Sequence, residues 1–239
     1  MDLKLNDQQQ MLRDATREFA EKRLLPQAAE AEHNERNDPA LLEELAGMGY
    51  CGIGTTEKYG GSALDAVSYA LMITELSYGD ASVGVTVSVT NSLVQDPIMM
   101  FGTEQQKERF LPPLAAGKVW GGFALTEPSA GTDSAGTRTT ATPDGDHYIL
   151  NGTKNFITNG GFAETFVVFA RGDREDKHHG ISAFVVEKGT PGFSIGKKED
   201  KLGIRASSTT ELVFEDCRLP KENLLGEWGG GFKVALKTL

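Results

Sequence analysis

The feature that most constrains this chain is a change of texture at Lys118. Up to about Gly117 the apolar residues recur at helical spacing, and beyond it they fall into short β-type runs broken by turn pairs. One switch of hydrophobic period along a chain predicts helices and strands segregated into separate regions, an α+β protein, rather than alternating βαβ units.

In the first region Asp7 reads as a helix cap with Gln10 three residues on, followed by Leu12, Ala15 and Phe19, with Pro26 ending the pattern. Asp38-Pro39 opens a second helix with the apolar stripe Leu41, Leu42, Leu45 and Met48, stopped by Gly47 and Gly49. Thr103 with Gln106 caps a third ahead of Phe110, Leu111 and Leu114, and Pro112-Pro113 should interrupt it. The stretch "ASVGVTVSVT" is different. Its Val83, Val85, Val87 and Val89 alternate with small polar residues, the period of a half-buried strand.

In the second region Asp144-Gly145, Asn151-Gly152 and Asn159-Gly160 are hairpin-turn signals between runs rich in Tyr, Ile, Thr and Phe. "TFVVFAR", "ISAFVVEKG", "GFSIGKK" and "TTELVFEDC" continue the series, which suggests a barrel or a sandwich. "GEWGGGFKVALKTL" then reads as a glycine hinge opening a new helix, with Phe232, Ala235, Leu236 and Leu239 on one face. That face is still running at Leu239, so it calls for partners.

Composition narrows the function classes. A formal net charge of -10 argues against a nucleic-acid partner, since phosphate binding needs a basic face. No run approaches the roughly 18 apolar residues of a membrane span, and the start has neither a basic nor an apolar leader region, so the chain reads as cytoplasmic. Cys51 and Cys217 are far apart and read as buried thiols rather than a zinc or redox pair, and no metal site is expected. His178-His179 reads as part of a solvated loop rather than as metal ligands, the carboxylate pairs Glu43-Glu44 and Glu215-Asp216 as surface charge rather than an acid-base pair, and the basic run Lys197, Lys198, Lys201 and Arg205 as a solvated face. There is no G-x-G-x-x-G after a strand and no Walker loop.

The stretch "FALTEPSAGTDSAG" has the residue types of a ligand loop: Pro128 and Gly131 for a tight turn, hydroxyls on Thr126, Ser129 and Thr132, and consecutive N–H groups able to cradle a phosphate. By residue type alone a plain connecting loop is the favoured alternative. Together with "NGTKNFITNGG" and "KKEDKLGIRASSTTELVFEDCRLPKENLLGEWGGGFKVAL", in matched order and spacing, it resembles the acyl-CoA dehydrogenase family, and the last stretch most resembles the short-chain, butyryl-CoA type.

The resemblance implies a helical domain over residues 1–117, a β-barrel-like domain over 118–227, and the first turns of a C-terminal helical domain over 228–239. It makes "ASVGVTVSVT" helical, against its period, and places it near the acyl pocket. It implies FAD bound by Phe123, Ala124, Leu125, Thr126, Glu127, Pro128, Ser129, Ala130, Gly131 and Thr132, with Phe156, Ile157 and Thr158 against the flavin. Thr132, Arg138, Lys177 and the lysines of "KKEDK" would lie near the acyl-CoA. Thr132 stands where the family usually has serine, and Phe156 where it usually has tryptophan. The implied reaction takes a short acyl-CoA to the trans-2-enoyl-CoA and passes electrons to an electron-transfer flavoprotein, in a homotetramer. No catalytic residue is assigned here, because the family's glutamate base is expected after Leu239. The rival readings are a flavin- or partner-binding module without turnover, and an oxidase relative that passes electrons to oxygen.

Overall fold

The computed structural model describes residues 4–172 and 180–239. Helix α1 (Asp7–Phe19) is capped by Asn6, not Asp7: the Asn6 side chain accepts from Gln9 N at 2.8 Å, and Gln9 Oε1 accepts from Asn6 N in return. A π-helical turn, Ala20–Leu24, carries the chain straight into α2 (Leu25–Asn34), so Pro26 does not end the helix. It follows directly on the π-helical turn, the local irregularity through which the continuing helix accommodates a residue that has no N–H.

Asp38 caps α3 (Pro39–Gly47) as expected, and Leu41 and Leu45 are its buried positions, whereas Met48 is exposed. Next come α4 (Ala66–Gly79) and α5 (Ala81–Ser88), which is a helix despite its alternating valines. Asp80 caps it, and Val83 and Val87, four apart, are both fully buried. A Cβ on Gly84 would lie 2.0 Å from the Ser77 hydroxyl, so α4 and α5 pack too closely there for any larger residue. Packing thus overrides β-branched propensity. A second π-helical segment, Val89–Gln95, leads to α6 (Asp96–Phe101). In α7 (Glu104–Ala115) Thr103 and Gln106 form the expected capping box, but Pro112 and Pro113 lie inside the helix, whose buried Leu111 and Leu114 hold its last turn in place.

The strands are β1 (Gly121–Ala124), β2 (Thr140–Asp144), β3 (His147–Thr158), β4 (Thr165–Arg171), β5 (Ile181–Glu187), β6 (Phe193–Lys198), β7 (Thr209–Pro220) and β8 (Leu224–Leu225). They form one mixed sheet in the order β6-β7-β3-β2-β4-β5-β8. β1 and β2 share an edge of β4: β1 runs parallel along Thr165 to Val168, and β2 joins at Arg171. Every residue of β4 is buried.

Of the three Asx-Gly signals, only Asp144-Gly145 makes the predicted hairpin, between β2 and β3. Asn151-Gly152 lies inside β3 at a register shift against β7, where a Cβ on Gly152 would meet Thr139 Oγ1 at 2.6 Å. Asn159-Gly160 follows β3 and leads to β4, which does not pair with it.

Asn159 joins the two regions. Its side-chain amide donates to Thr86 O at 3.1 Å and Gly121 O at 2.9 Å, and its backbone N–H donates to Ser208 O at 2.7 Å. Beyond the sheet, Trp228 stacks on Tyr148 with ring centroids 5.0 Å apart, and α8 (Gly231–Thr238) buries Val234 and Ala235 while Leu236 and Leu239 stay exposed. No helix among the described residues is long and apolar enough to cross a membrane.

Candidate functional site

The loop from Leu125 to Thr139 is built from the inside. The N–H groups of Glu127 and Ala130 donate to each other's carbonyls, at 3.0 and 3.1 Å, which closes a turn over Pro128 and Ser129. The Glu127 carboxylate turns inward and accepts from the N–H groups of Arg138 (2.6 Å) and Thr139 (2.9 Å), pinning the far end of the loop to its start. Lys154, on β3, reaches the same place from below: its Nζ lies 2.7 Å from Glu127 Oε1 and 3.1 Å from Leu125 O. Arg171, at the end of β4, donates to Thr137 O (3.0 Å) and Ala135 O (2.5 Å). All three charged side chains are buried.

Burial penalises the Glu127 carboxylate, but the Lys154 ammonium and the two N–H donors outweigh it and hold Glu127 below its ordinary range. Burial pulls Lys154 down to about 8, against the attraction of Glu127. Each charge thus favours the ionised form of the other against the cost of burial.

The outer side of the loop is open. Pro128, Ser129, Gly131, Thr132, Asp133 and Arg138 are exposed, and the N–H groups of Thr126, Gly131 and Thr132 meet no acceptor among the described residues. Ala124, Leu125 and Ala130 are buried beneath it, and Phe123 packs edge-on against Phe169 at 5.1 Å.

Phe156 lies next to this face, because Asn155 N donates to Thr126 O at 2.8 Å. The pairing of β3 with β7 slips between Lys154 and Ile157. The slip lets both of these residues, three apart, point inward, which a regular strand cannot do. Phe156 is left turned outward, 61% exposed and at a φ of +59°. A bulky aromatic in that region is strained backbone, and such strain concentrates at functional sites. Ile157 is buried and Thr158 is half-buried.

The other sequence-flagged residues are placed differently. The exposed Arg138 guanidinium forms no ion pair among the described residues. Lys177 and His178-His179 lie outside the described residues. The basic run folds back on the helical region: Lys198 pairs with Glu35 at 2.9 Å, Arg205 contacts the same carboxylate, and Lys201 caps the carbonyls of Ile204 and Ser207. Of the carboxylate pairs, Glu44 is tied to Arg23, and Glu215 and Asp216 are exposed. Both cysteines are buried, and burial pushes Cys51 up to about 12 and Cys217 up to about 11, so neither is a nucleophile at neutral pH.

Sequence reading missed Lys154 and Arg171 as the supports of the loop. A lysine in the middle of "NGTKNFITNGG", among strand residues of a buried sheet, was the available signal.

Two family descriptions match this chain: the acyl-CoA dehydrogenase N-terminal domain over residues 6–118 and the acyl-CoA dehydrogenase middle domain over residues 122–217. The chain belongs to the acyl-CoA dehydrogenase family. It is 51% identical, over 100% of its own length, to the short-chain-specific acyl-CoA dehydrogenase of Megasphaera elsdenii, and spans 63% of that protein. Its fold matches a chain in a solved structure of the electron-transferring flavoprotein of Acidaminococcus fermentans with a TM-score of 0.97, at 52% identity, covering 100% of this chain and 63% of that one. It also matches the acyl-CoA dehydrogenase of Bacillus anthracis solved with FAD, with a TM-score of 0.90 at 38% identity, covering 98% of this chain and 40% of that one.

Proposed function

We propose that this chain supplies the flavin-binding part of a short-chain acyl-CoA dehydrogenase. The observation that carries the reading is the outer face of the loop: N–H donors at Thr126, Gly131 and Thr132 that are unpaired among the described residues, hydroxyls at Ser129 and Thr132, and the strained, outward Phe156 beside them. Such a set fits FAD, whose pyrophosphate takes N–H donors and whose ring takes an aromatic face and fixed donors. FAD when bound supplies the hydride acceptor for oxidation of a saturated acyl-CoA.

The residues of this chain bind and orient. Thr126 and its neighbours offer donors to the edge of the ring, Thr132 and Gly131 to the pyrophosphate, and Phe156 and Thr158 cover the ring. Arg138, exposed and without an ion pair among the described residues, is available to the phosphates of the acyl-CoA. No carboxylate of this chain is assigned as the base that takes the α-proton. We place that base in the sequence by which the Megasphaera relative exceeds this chain. By analogy with the Acidaminococcus structure, the electron acceptor is an electron-transferring flavoprotein, and we read the working protein as a cytoplasmic homo-oligomer.

The test is to load the purified chain with FAD and record its anaerobic absorbance before and after butyryl-CoA. Stoichiometric FAD uptake is expected. Bleaching of the oxidised flavin by butyryl-CoA would assign the whole dehydrogenase reaction to these residues, while uptake without bleaching would assign them the flavin part alone. A chain that takes up no FAD would overturn the reading. The second reading, a flavin-binding module without turnover, is the one that FAD uptake without bleaching would support.

A further inference from the structure

Lys154 does more than balance Glu127. Its Nζ is also 3.1 Å from the carbonyl oxygen of Leu125, in the buried interior. The Leu125–Thr126 peptide is trans, as are all described peptide bonds, and in a planar trans peptide the N–H points opposite to the C=O. The carbonyl therefore faces the buried cation, and the N–H of Thr126, which meets no acceptor among the described residues, faces away from it.

We propose that Lys154 is a positioning residue for the flavin: by donating to the Leu125 carbonyl it fixes and polarises the Leu125–Thr126 peptide, so that the Thr126 N–H favours the reduced, negatively charged ring over the oxidised one. The inference rests on the reading that FAD lies on this face. A cation on a carbonyl oxygen draws electron density through the conjugated C–N bond and strengthens the N–H on the other side. This effect is larger in a low-dielectric interior than in water. Glu127 keeps Nζ in place and neutralises the pair as a whole, so the action on the flavin runs through one peptide rather than through a long-range field. Two electrons and one proton convert oxidised FAD to the anionic reduced form, so a donor that is stronger toward developing negative charge raises the affinity for the reduced form more than for the oxidised form.

The experiment compares the chain with Lys154→Arg, Lys154→Met and the double variant Lys154→Met/Glu127→Gln, which leaves no unpaired buried charge. For each, the Kd of oxidised FAD is measured by titration, and the midpoint potential of the bound flavin by anaerobic dithionite reduction against a reference dye. In both Met-containing variants the reduced flavin is expected to lose about ten-fold more affinity than the oxidised flavin, a fall of about 30 mV for a two-electron couple. Lys154→Arg is expected to stay near the wild-type potential. Equal weakening of both redox forms, with the potential unchanged, would show that Lys154 only holds the loop and would overturn the inference. If the single Met variant folds poorly, the double variant decides. A wild-type chain that takes up no FAD overturns the functional reading and this inference together, whereas FAD uptake with an unchanged potential in the double variant overturns the inference alone.

Discussion

In the helical region the buried polar groups that hold a loop in place are neutral. Gln95 donates to Cys51 O at 2.6 Å and accepts from the Thr55 hydroxyl at 2.7 Å, and Asn91 donates to Tyr50 O at 2.9 Å. Beneath residues 125–139 the corresponding groups are charged: Glu127, Lys154 and Arg171. Both systems tie an irregular segment to a regular one. They differ in what the segment is left free to do. The amides clamp the π-helical segment Val89–Gln95 to the 50–55 loop from within, and the partners on both sides are buried protein groups. The charges take up carbonyls and N–H groups on the inner side of their loop and leave donors free on the outer side. Burying ions costs more desolvation than burying amides, and replacing a buried pair with apolar residues is often neutral for stability. The charged support is therefore explained by the surface it organises rather than by the stability it adds.

Breaking the pair should give the largest effect. Lys154→Met leaves Glu127 buried without its cation and is expected to cost about 3–5 kcal/mol, with most of the loss recovered in the Lys154→Met/Glu127→Gln double variant. Urea unfolding of the three proteins measures this, and no recovery in the double variant would refute the pairwise account. In the amide system, Gln95→Leu orphans the Thr55 hydroxyl and the Cys51 carbonyl and should cost about 2–3 kcal/mol. A loss as large as that of Lys154→Met would erase the distinction between the two systems.

The pH dependence sharpens the contrast. Because Glu127 is held below its ordinary carboxylate value of 4.5, the unfolded chain binds more protons than the folded chain as the pH drops past that value. Its contribution is complete above about pH 4.5 and is lost on further acidification. The wild-type chain should lose stability there more steeply than Glu127→Gln, as read from thermal midpoints between pH 6 and pH 3. The smallest effect is expected at Phe156. Phe156→Gly relieves the positive φ and exposes little new surface, so it should stabilise the chain by up to about 1 kcal/mol while weakening FAD binding. A destabilised variant would mean that the strain is not there.

The segregation of helices and strands, and the strands β4 to β7, were legible in the periodicity, because each carries its own apolar run and turn residues, whereas β3 was read as broken at Asn151-Gly152. The 81–90 segment was not, since the alternating valines that read as a strand also place Val83 and Val87 four apart, and only the close packing on α4 decides between the two. The two Asx-Gly pairs that form no hairpin were misread for a related reason: a turn signal says where the chain can bend, not which strands will pair. At the candidate site the loop residues could be picked out by type and by family resemblance. What could not be read was which atoms face inward. Glu127 looked like a ligand residue and is an anchor, and Lys154 looked like an ordinary strand residue and is its counterpart. Both assignments depend on the slip in β3 that lets Lys154 and Ile157 point the same way, and nothing local in the sequence announces it.

The position of Asn159 bears on how the protein ages. An asparagine followed by glycine is the pair most open to attack by the next backbone nitrogen on the side-chain amide, which turns asparagine into aspartate or isoaspartate. Here that amide is clamped between Thr86 and Gly121, and the Gly160 N–H is engaged by Ile157 O at 3.1 Å. Deamidation at Asn159 should therefore proceed only while the seam between the helices and the sheet is open. The mass of one tryptic peptide, followed over weeks, would then record how often the two regions come apart.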